Sequence, residues 1–208
     1  MNKRRIGLVT MIIGISAVAA GFGLIGYNLW DNYRAGIQAY AALEAIVQHQ
    51  EEAATEPEED PETPPEFPPD FDRELSVLEV DGYRYIGTVS IPAIGVSLAV
   101  QEDWSPVLVK TSPCRYMGSP YKGDLIICAH NYAAHFGRLE DLLPGNEVIF
   151  TDVEGNEFCY AVAKLETLAG TAVEEMTGGT WDLTLFTCTL GGQTRVTVRC
   201  DRVEGGEA

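Results

Sequence analysis

Residues 6–30, I-G-L-V-T-M-I-I-G-I-S-A-V-A-A-G-F-G-L-I-G-Y-N-L-W, hold no charged side chain. This run constrains the chain more than any other feature. Backbone buried in hydrocarbon must satisfy its own hydrogen bonds, so a lone apolar run of this length can cross only as a helix. At the helical rise it spans roughly 38 Å, against about 30 Å of hydrocarbon core. Tyr27 and Trp30 stand where an interfacial aromatic belt is expected, and Lys3, Arg4 and Arg5 precede the run. The expectation is a single-pass anchor over 1–30, its N-terminus cytoplasmic and the remainder outside the cell. Ala17-Val18-Ala19 resembles a cleavage site for a signal peptide, but the apolar run continues well beyond it. Both readings export the rest of the chain.

Residues 31–50 continue as a helical extension, with Ile37, Tyr40, Leu43 and Val47 near one narrow stripe. Residues 51–75 read as an acidic linker, and 51–72 hold six of the chain's 11 prolines. Such a segment buries too little to order itself and extends by self-repulsion and polyproline stiffness. The formal net charge of -17 argues against a nucleic-acid partner, because phosphate binding needs a basic face.

From 76 to 208 the signals are those of an all-β domain. Strands are predicted at 83–91, 96–101, 106–110, 123–129, 146–152, 156–167, 181–188 and 194–202, and only 135–143 reads as helical. Many short strands over such a length point to one closed barrel or sandwich.

The chemistry-bearing residues gather late in the chain. Five cysteines, at 114, 128, 159, 188 and 200, form no C-x-x-C pair. Cys188 closes the apolar strand L-T-L-F-T-C, and His130 follows the apolar strand D-L-I-I-C-A. A thiol and an imidazole at strand ends can converge on one face of a barrel and act as nucleophile and acid/base. Cys128, His130 and His135 in C-x-H-x4-H lack a spaced fourth ligand, so no metal is expected. Cys128 and Cys159 read as buried small apolar residues. Cys114 and Cys200 are candidates for a disulfide that nothing in the sequence brings together. Asp124, Asp141 and Asp182 are each available to orient His130, and none is assigned.

T-L-F-T-C at 184–188 resembles the T-L-x-T-C signature of sortases, the cysteine transpeptidases of Gram-positive cell surfaces. G-Q-T-R-V-T-V-R resembles the strand that carries that family's arginine. A-H-N-Y-A-A-H-F-G-R-L resembles the segment around its histidine, and Y-I-G-T-V-S-I-P-A-I-G-V resembles its opening strands. The resemblance covers roughly residues 80–202, with Ala129 standing where many members have glycine.

The resemblance implies an eight-stranded closed β-barrel with short helices. It implies Cys188 as nucleophile, His130 as acid/base, Arg195 as the essential arginine and Thr187 as a substrate-binding neighbour. Arg199 has the same strand parity as Arg195, so alternation does not separate them. It further implies cleavage of a Leu-Pro-X-Thr-Gly-like sorting signal on surface proteins, a thioacyl intermediate, and transfer to an amine of peptidoglycan or its lipid-linked precursor, with no cofactor. The C-A-H-N-Y-A-A-H-F-G segment is closer to class B or class D members than to class A. The lack of an Asp-Pro-aromatic motif and the acidic C-terminus favour anchoring of single proteins over pilus polymerisation. Two other classes stand beside this reading: another exported cysteine hydrolase or transpeptidase, and a noncatalytic anchored binding domain with a buried, unreactive Cys188.

Overall fold

The computed structural model describes residues 3–55 and 73–203, so most of the expected acidic linker lies outside the described residues. Helix α1 runs from Lys3 to Thr55. Two compact units are present, Met1–Arg34 and Ala35–Ala208.

The described residues of the first unit are helical, and α1 is long and apolar enough to cross a membrane. Leu8, Ile13, Phe22 and Leu29 are all exposed, as a lipid-facing surface requires. Near its end the rings of Tyr27 and Trp30 lie 6.2 Å apart, and the Arg34 guanidinium sits 5.4 Å from the Trp30 centroid.

In the second unit nine strands follow α1: β1 (Leu78–Val80), β2 (Tyr83–Ile91), β3 (Val96–Gln101), β4 (Cys114–Met117), β5 (Leu125–Cys128), β6 (Glu147–Asp152), β7 (Glu157–Ala169), β8 (Leu183–Cys188) and β9 (Thr194–Arg202). The sheet order is β1-β2-β3-β4-β5-β8-β9-β7-β6, and β6 returns to pair with β2. Eight strands thus close into a barrel, with β1 left as a hairpin arm on β2. The contacts of β4 with β3 and of β5 with β8 are parallel, and the other pairings are antiparallel. Closure depends on Gly87. A Cβ there would lie 2.1 Å from the Thr151 carbonyl oxygen, on the strand that seals the barrel.

Alternate residues fill the interior: Val89, Leu98, Ile127, Phe150, Leu185 and Val198 all belong to one buried cluster. A smaller cluster forms outside the barrel, where Ala42 and Ile46 of α1 meet Tyr85 and Ala99. The face of α1 that docks is therefore Ala35, Ala39, Ala42 and Ile46, and of the expected stripe Ile37, Tyr40 and Val47 are exposed while Leu43 is half-buried. Small side chains win because they let the helix backbone approach the sheet closely. Gly36 makes the same contact, its Cβ position 3.6 Å from that of Ala134.

Three local expectations are corrected. Residues 106–110 form a 3-10 helix, Leu108–Lys110, and no strand. Pro106 has no amide hydrogen for a ladder, and the Ser105 hydroxyl accepts the Leu108 N–H at 3.0 Å. Residues 135–143 hold only the 3-10 turn Leu139–Asp141. The buried positions Phe136, Leu139 and Leu142 are three apart, the period of a 3-10 winding. The strands β1 and β4 and the short helix α2 (Val173–Thr177) had no recognisable pattern, being three to five residues long.

Candidate active site

β8 ends at Cys188, and β9 returns beside it with Arg195 as the directly opposed residue. On the other edge of β8 lies β5, parallel, with Cys128 opposite Phe186. Two further residues along that parallel register bring His130 beside Cys188. Strand alternation sets the side on which they meet. Leu125, Ile127, Leu183 and Leu185 belong to the core, so Cys128, His130, Phe186 and Cys188 face outward. The thiol, imidazole and guanidinium all line one cleft of about 430 Å³. Cys188, His130 and Arg195 are each half-buried.

The loop bearing His130 is held through its backbone. Its N–H donates to the Val109 carbonyl at 3.2 Å, and its carbonyl accepts from the Phe136 N–H at 3.3 Å. The imidazole stacks on Tyr132, with centroids 4.0 Å apart and planes at 18°. Thr187 joins β8 to the end of β5: it is buried, and its hydroxyl donates to the Ala129 carbonyl at 2.8 Å. Its hydrogen is thus committed to the residue before His130, although the side chain borders the cleft.

The two arginines share a face, as their parity requires, and the 170–181 segment separates them. Arg199 is buried beneath α2. It donates to Glu166 at 2.9 Å, to the Met176 and Glu175 carbonyls at 2.8 and 2.6 Å, and to the Thr184 hydroxyl at 3.0 Å. Arg195 lies beyond that cover. Its Nη1 donates to the Gly192 and Thr194 carbonyls at 2.8 and 3.0 Å. Gly170 makes room for it, since a Cβ there would lie 3.2 Å from Nη1 and 2.8 Å from the Gln193 carbonyl oxygen.

The remaining candidates sit elsewhere. His135 is fully buried, and burial lowers its pKa to about 4 against a weaker opposing pull from the Ala35 backbone. It is absent from the cleft lining. Asp124 accepts the Ser119 N–H, Asp141 pairs with Arg138, and Asp182 accepts the Arg202 N–H. None of the three lines the cleft. All five thiols are free. Cys114 faces Cys128 across β4 and β5, whereas Cys200 faces Leu183. Burial pushes Cys114 and Cys200 up to about 12 and raises Cys128 as well.

Sequence reasoning missed several residues of the cleft, among them Trp104, Lys110, Tyr116 and Phe186. Phe186 was legible, since it shares parity with Cys188. Tyr116 was not, because it reaches the site through edge contacts with Phe186 and Trp104, 5.3 and 5.9 Å between centroids, that join segments far apart in sequence.

A closed mixed barrel that sets a thiol, an imidazole and a guanidinium on neighbouring strand ends is built for cysteine-dependent acyl transfer. The Sortase domain family model matches residues 89–203, more than half of the chain. This protein therefore belongs to the sortase family of cysteine transpeptidases. Among solved structures, sortase C1 from Streptococcus agalactiae is similar at TM-score 0.60 and 22% identity, covering 78% of this chain and 100% of that one. Sortase C of Streptococcus pneumoniae matches at 0.54 and 23%, covering 79% and 90%. A Sortase D5 transpeptidase of Clostridium perfringens matches at 0.50 and 19%, covering 58% and 79%. At these identities the likeness is one of fold. A search of curated proteins finds no match.

Proposed function

We propose that the chain is a membrane-anchored enzyme that cuts a Leu-Pro-X-Thr-Gly-like sorting signal and joins the carbonyl side to a cell-wall amine. The Cys188–Arg195 cross-strand pair, flanked by His130 in the parallel register, carries this reading. The Cys188 thiolate attacks the threonine carbonyl, and the developing oxyanion is stabilised by the Arg195 guanidinium. As the C–N bond breaks, protonated His130 gives its proton to the leaving glycine amine. An incoming amine then loses a proton to His130 and attacks the thioester. A new amide forms and the Cys188 thiolate departs. Thr187 acts by holding the histidine and cysteine strands together. The segment 168–181 borders the cleft through Ala169, Gly170, Val173 and Met176 and selects the signal.

The basic tip Lys3-Arg4-Arg5 supports a cytoplasmic N-terminus, with the barrel outside the cell facing exported surface proteins and peptidoglycan or its lipid-linked precursor. The test uses the full chain in detergent, as wild type and as Cys188→Ala, with a panel of Leu-Pro-X-Thr-Gly-like peptides. Intact mass should show an acyl adduct on wild type alone, released as an amide by an added amine. A reactive Cys188 that forms no adduct across the panel would overturn the assigned substrate. A Cys188 inert to small thiol reagents would favour a binding domain.

A further inference from the structure

The charge of the cleft runs against the charge of the chain. The protein has a formal net charge of -17, yet the described residues lining the cleft include no aspartate or glutamate. The charged groups there are Lys110 and Arg195, with His130 between them. Neither Lys110 nor Arg195 makes an ion pair among the described residues. In a chain with 31 acidic and 14 basic residues, two cations left without carboxylates at one cleft reserve a positive field for something that enters it.

Arg195 has a place beside Cys188. Lys110 occupies the opposite flank, and its position is built. It ends the 3-10 helix Leu108–Lys110, and the carbonyl of the preceding Val109 receives the His130 N–H. The Gln101 side-chain amide ties that helix down from within, donating to the Leu108 carbonyl at 3.1 Å and to the Thr111 hydroxyl at 3.0 Å. Sheet register sets His130, Cys188 and Arg195 in that order across the cleft, and the Val109–His130 hydrogen bond puts Lys110 on the histidine side. Lys110 is about two strand spacings from Cys188, roughly 10 Å. A lysine side chain covers much of that distance. A carboxylate one or two residues from the scissile carbonyl, or on the incoming amine, completes it.

We propose that Lys110 is a specificity-determining residue that binds a carboxylate of the reacting peptide at the histidine side of the cleft. The ligand is an acidic peptide group, carried either by the sorting signal or by the acceptor amine. The proposal rests on the transpeptidase reading for the nature of the ligand, though not for the charge selection itself. Because Lys110 is exposed, the selection is modest and is screened by salt.

Binding is measured on full-length Cys188→Ala in detergent, so that no turnover is needed, with Lys110, Lys110→Gln, Lys110→Arg and Lys110→Glu compared in that background. One probe pair is Leu-Pro-Glu-Thr-Gly against Leu-Pro-Gln-Thr-Gly; the other is triglycine against triglycine amide. Trp104 in the cleft gives a fluorescence readout. The expected result is a roughly two- to fivefold preference for the acidic member of one pair, a size typical of exposed ion pairs. Lys110→Gln should abolish it, Lys110→Arg keep it, Lys110→Glu reverse it, and 1 M salt flatten it. The pair that responds identifies the source of the carboxylate. No acidic preference in either pair up to millimolar peptide, or a preference that survives Lys110→Gln, overturns the proposal. A preference that follows Lys110, in a chain whose wild type forms no acyl adduct, would overturn the assigned sorting signal and leave the charge selection standing.

Discussion

Arg195 and Arg199 show how little a side chain's identity says without its surroundings. Both are outward-facing arginines of β9, four residues apart. Arg199 makes four hydrogen-bonding contacts beneath α2, one of them to the Glu166 carboxylate, whose pKa is lowered by Lys164 and Arg199 against its partial desolvation. Arg199→Ala should therefore destabilise the fold by about 3 kcal/mol, as breaking a buried charged pair does. Arg195→Ala should leave the denaturant midpoint nearly unchanged and lower the acyl-transfer rate by roughly 100- to 1000-fold. Equilibrium unfolding and adduct kinetics on the two variants separate these effects. His135 supplies a pH dependence. Its folded pKa of about 4 lies below the ordinary 6.5, so the unfolded chain binds more protons between those values. The stability from its neutral, buried ring is complete above about pH 6.5 and is lost as pH falls towards 4. The loss approaches about 3 kcal/mol. Unfolding midpoints of wild type and His135→Phe across pH 4–7 should converge in slope only if another group is responsible.

At the scale of elements, α1 does two jobs along one continuous helix. Its first part is apolar, exposed and long enough to cross a membrane, and from Ala35 onward one face of small residues packs on the barrel. Ile46 is fully buried in that contact, and Gln50 donates to the Asp152 carbonyl at 2.6 Å. Ile46→Ala should cost about 2–4 kcal/mol, and Ala39→Leu about 1–3 kcal/mol by overpacking. Denaturant unfolding monitored in detergent reads both. By contrast, substituting the exposed Ile37 or Tyr40 should change stability by less than about 0.5 kcal/mol. The helical extension was legible as helix from its sequence. Its docking face was not, because the larger apolar residues draw the eye and the close approach selects alanines.

Over the whole molecule, packing on both faces of the barrel wall decides which thiols meet solvent, Cys200 lying in the core and Cys114 and Cys128 under cover outside it. Cys114, Cys128 and Cys200 are buried, while Cys159 and Cys188 are half-buried. Native protein should take a small alkylating reagent at Cys188 first and at Cys159 more slowly. The other three should react only after unfolding, and intact mass against time distinguishes the order.

Local rules, acting on a few consecutive residues, already settle part of this structure. An uncharged apolar run must be a helix in hydrocarbon, and period-two alternation located β2, β3 and β9 at their observed ends. Order along the chain, with its motifs, pointed to Cys188, His130 and an arginine. Tertiary structure decided what depends on neighbours far away in sequence. It closed β6 onto β2 across Gly87, covered Arg199 with α2 and left Arg195 at the cleft. It also set Lys110 beside His130 through a single backbone hydrogen bond. Parity, propensity and hydropathy are properties of a few consecutive residues. Burial and the field in a cleft are sums over elements that only the closed barrel brings together.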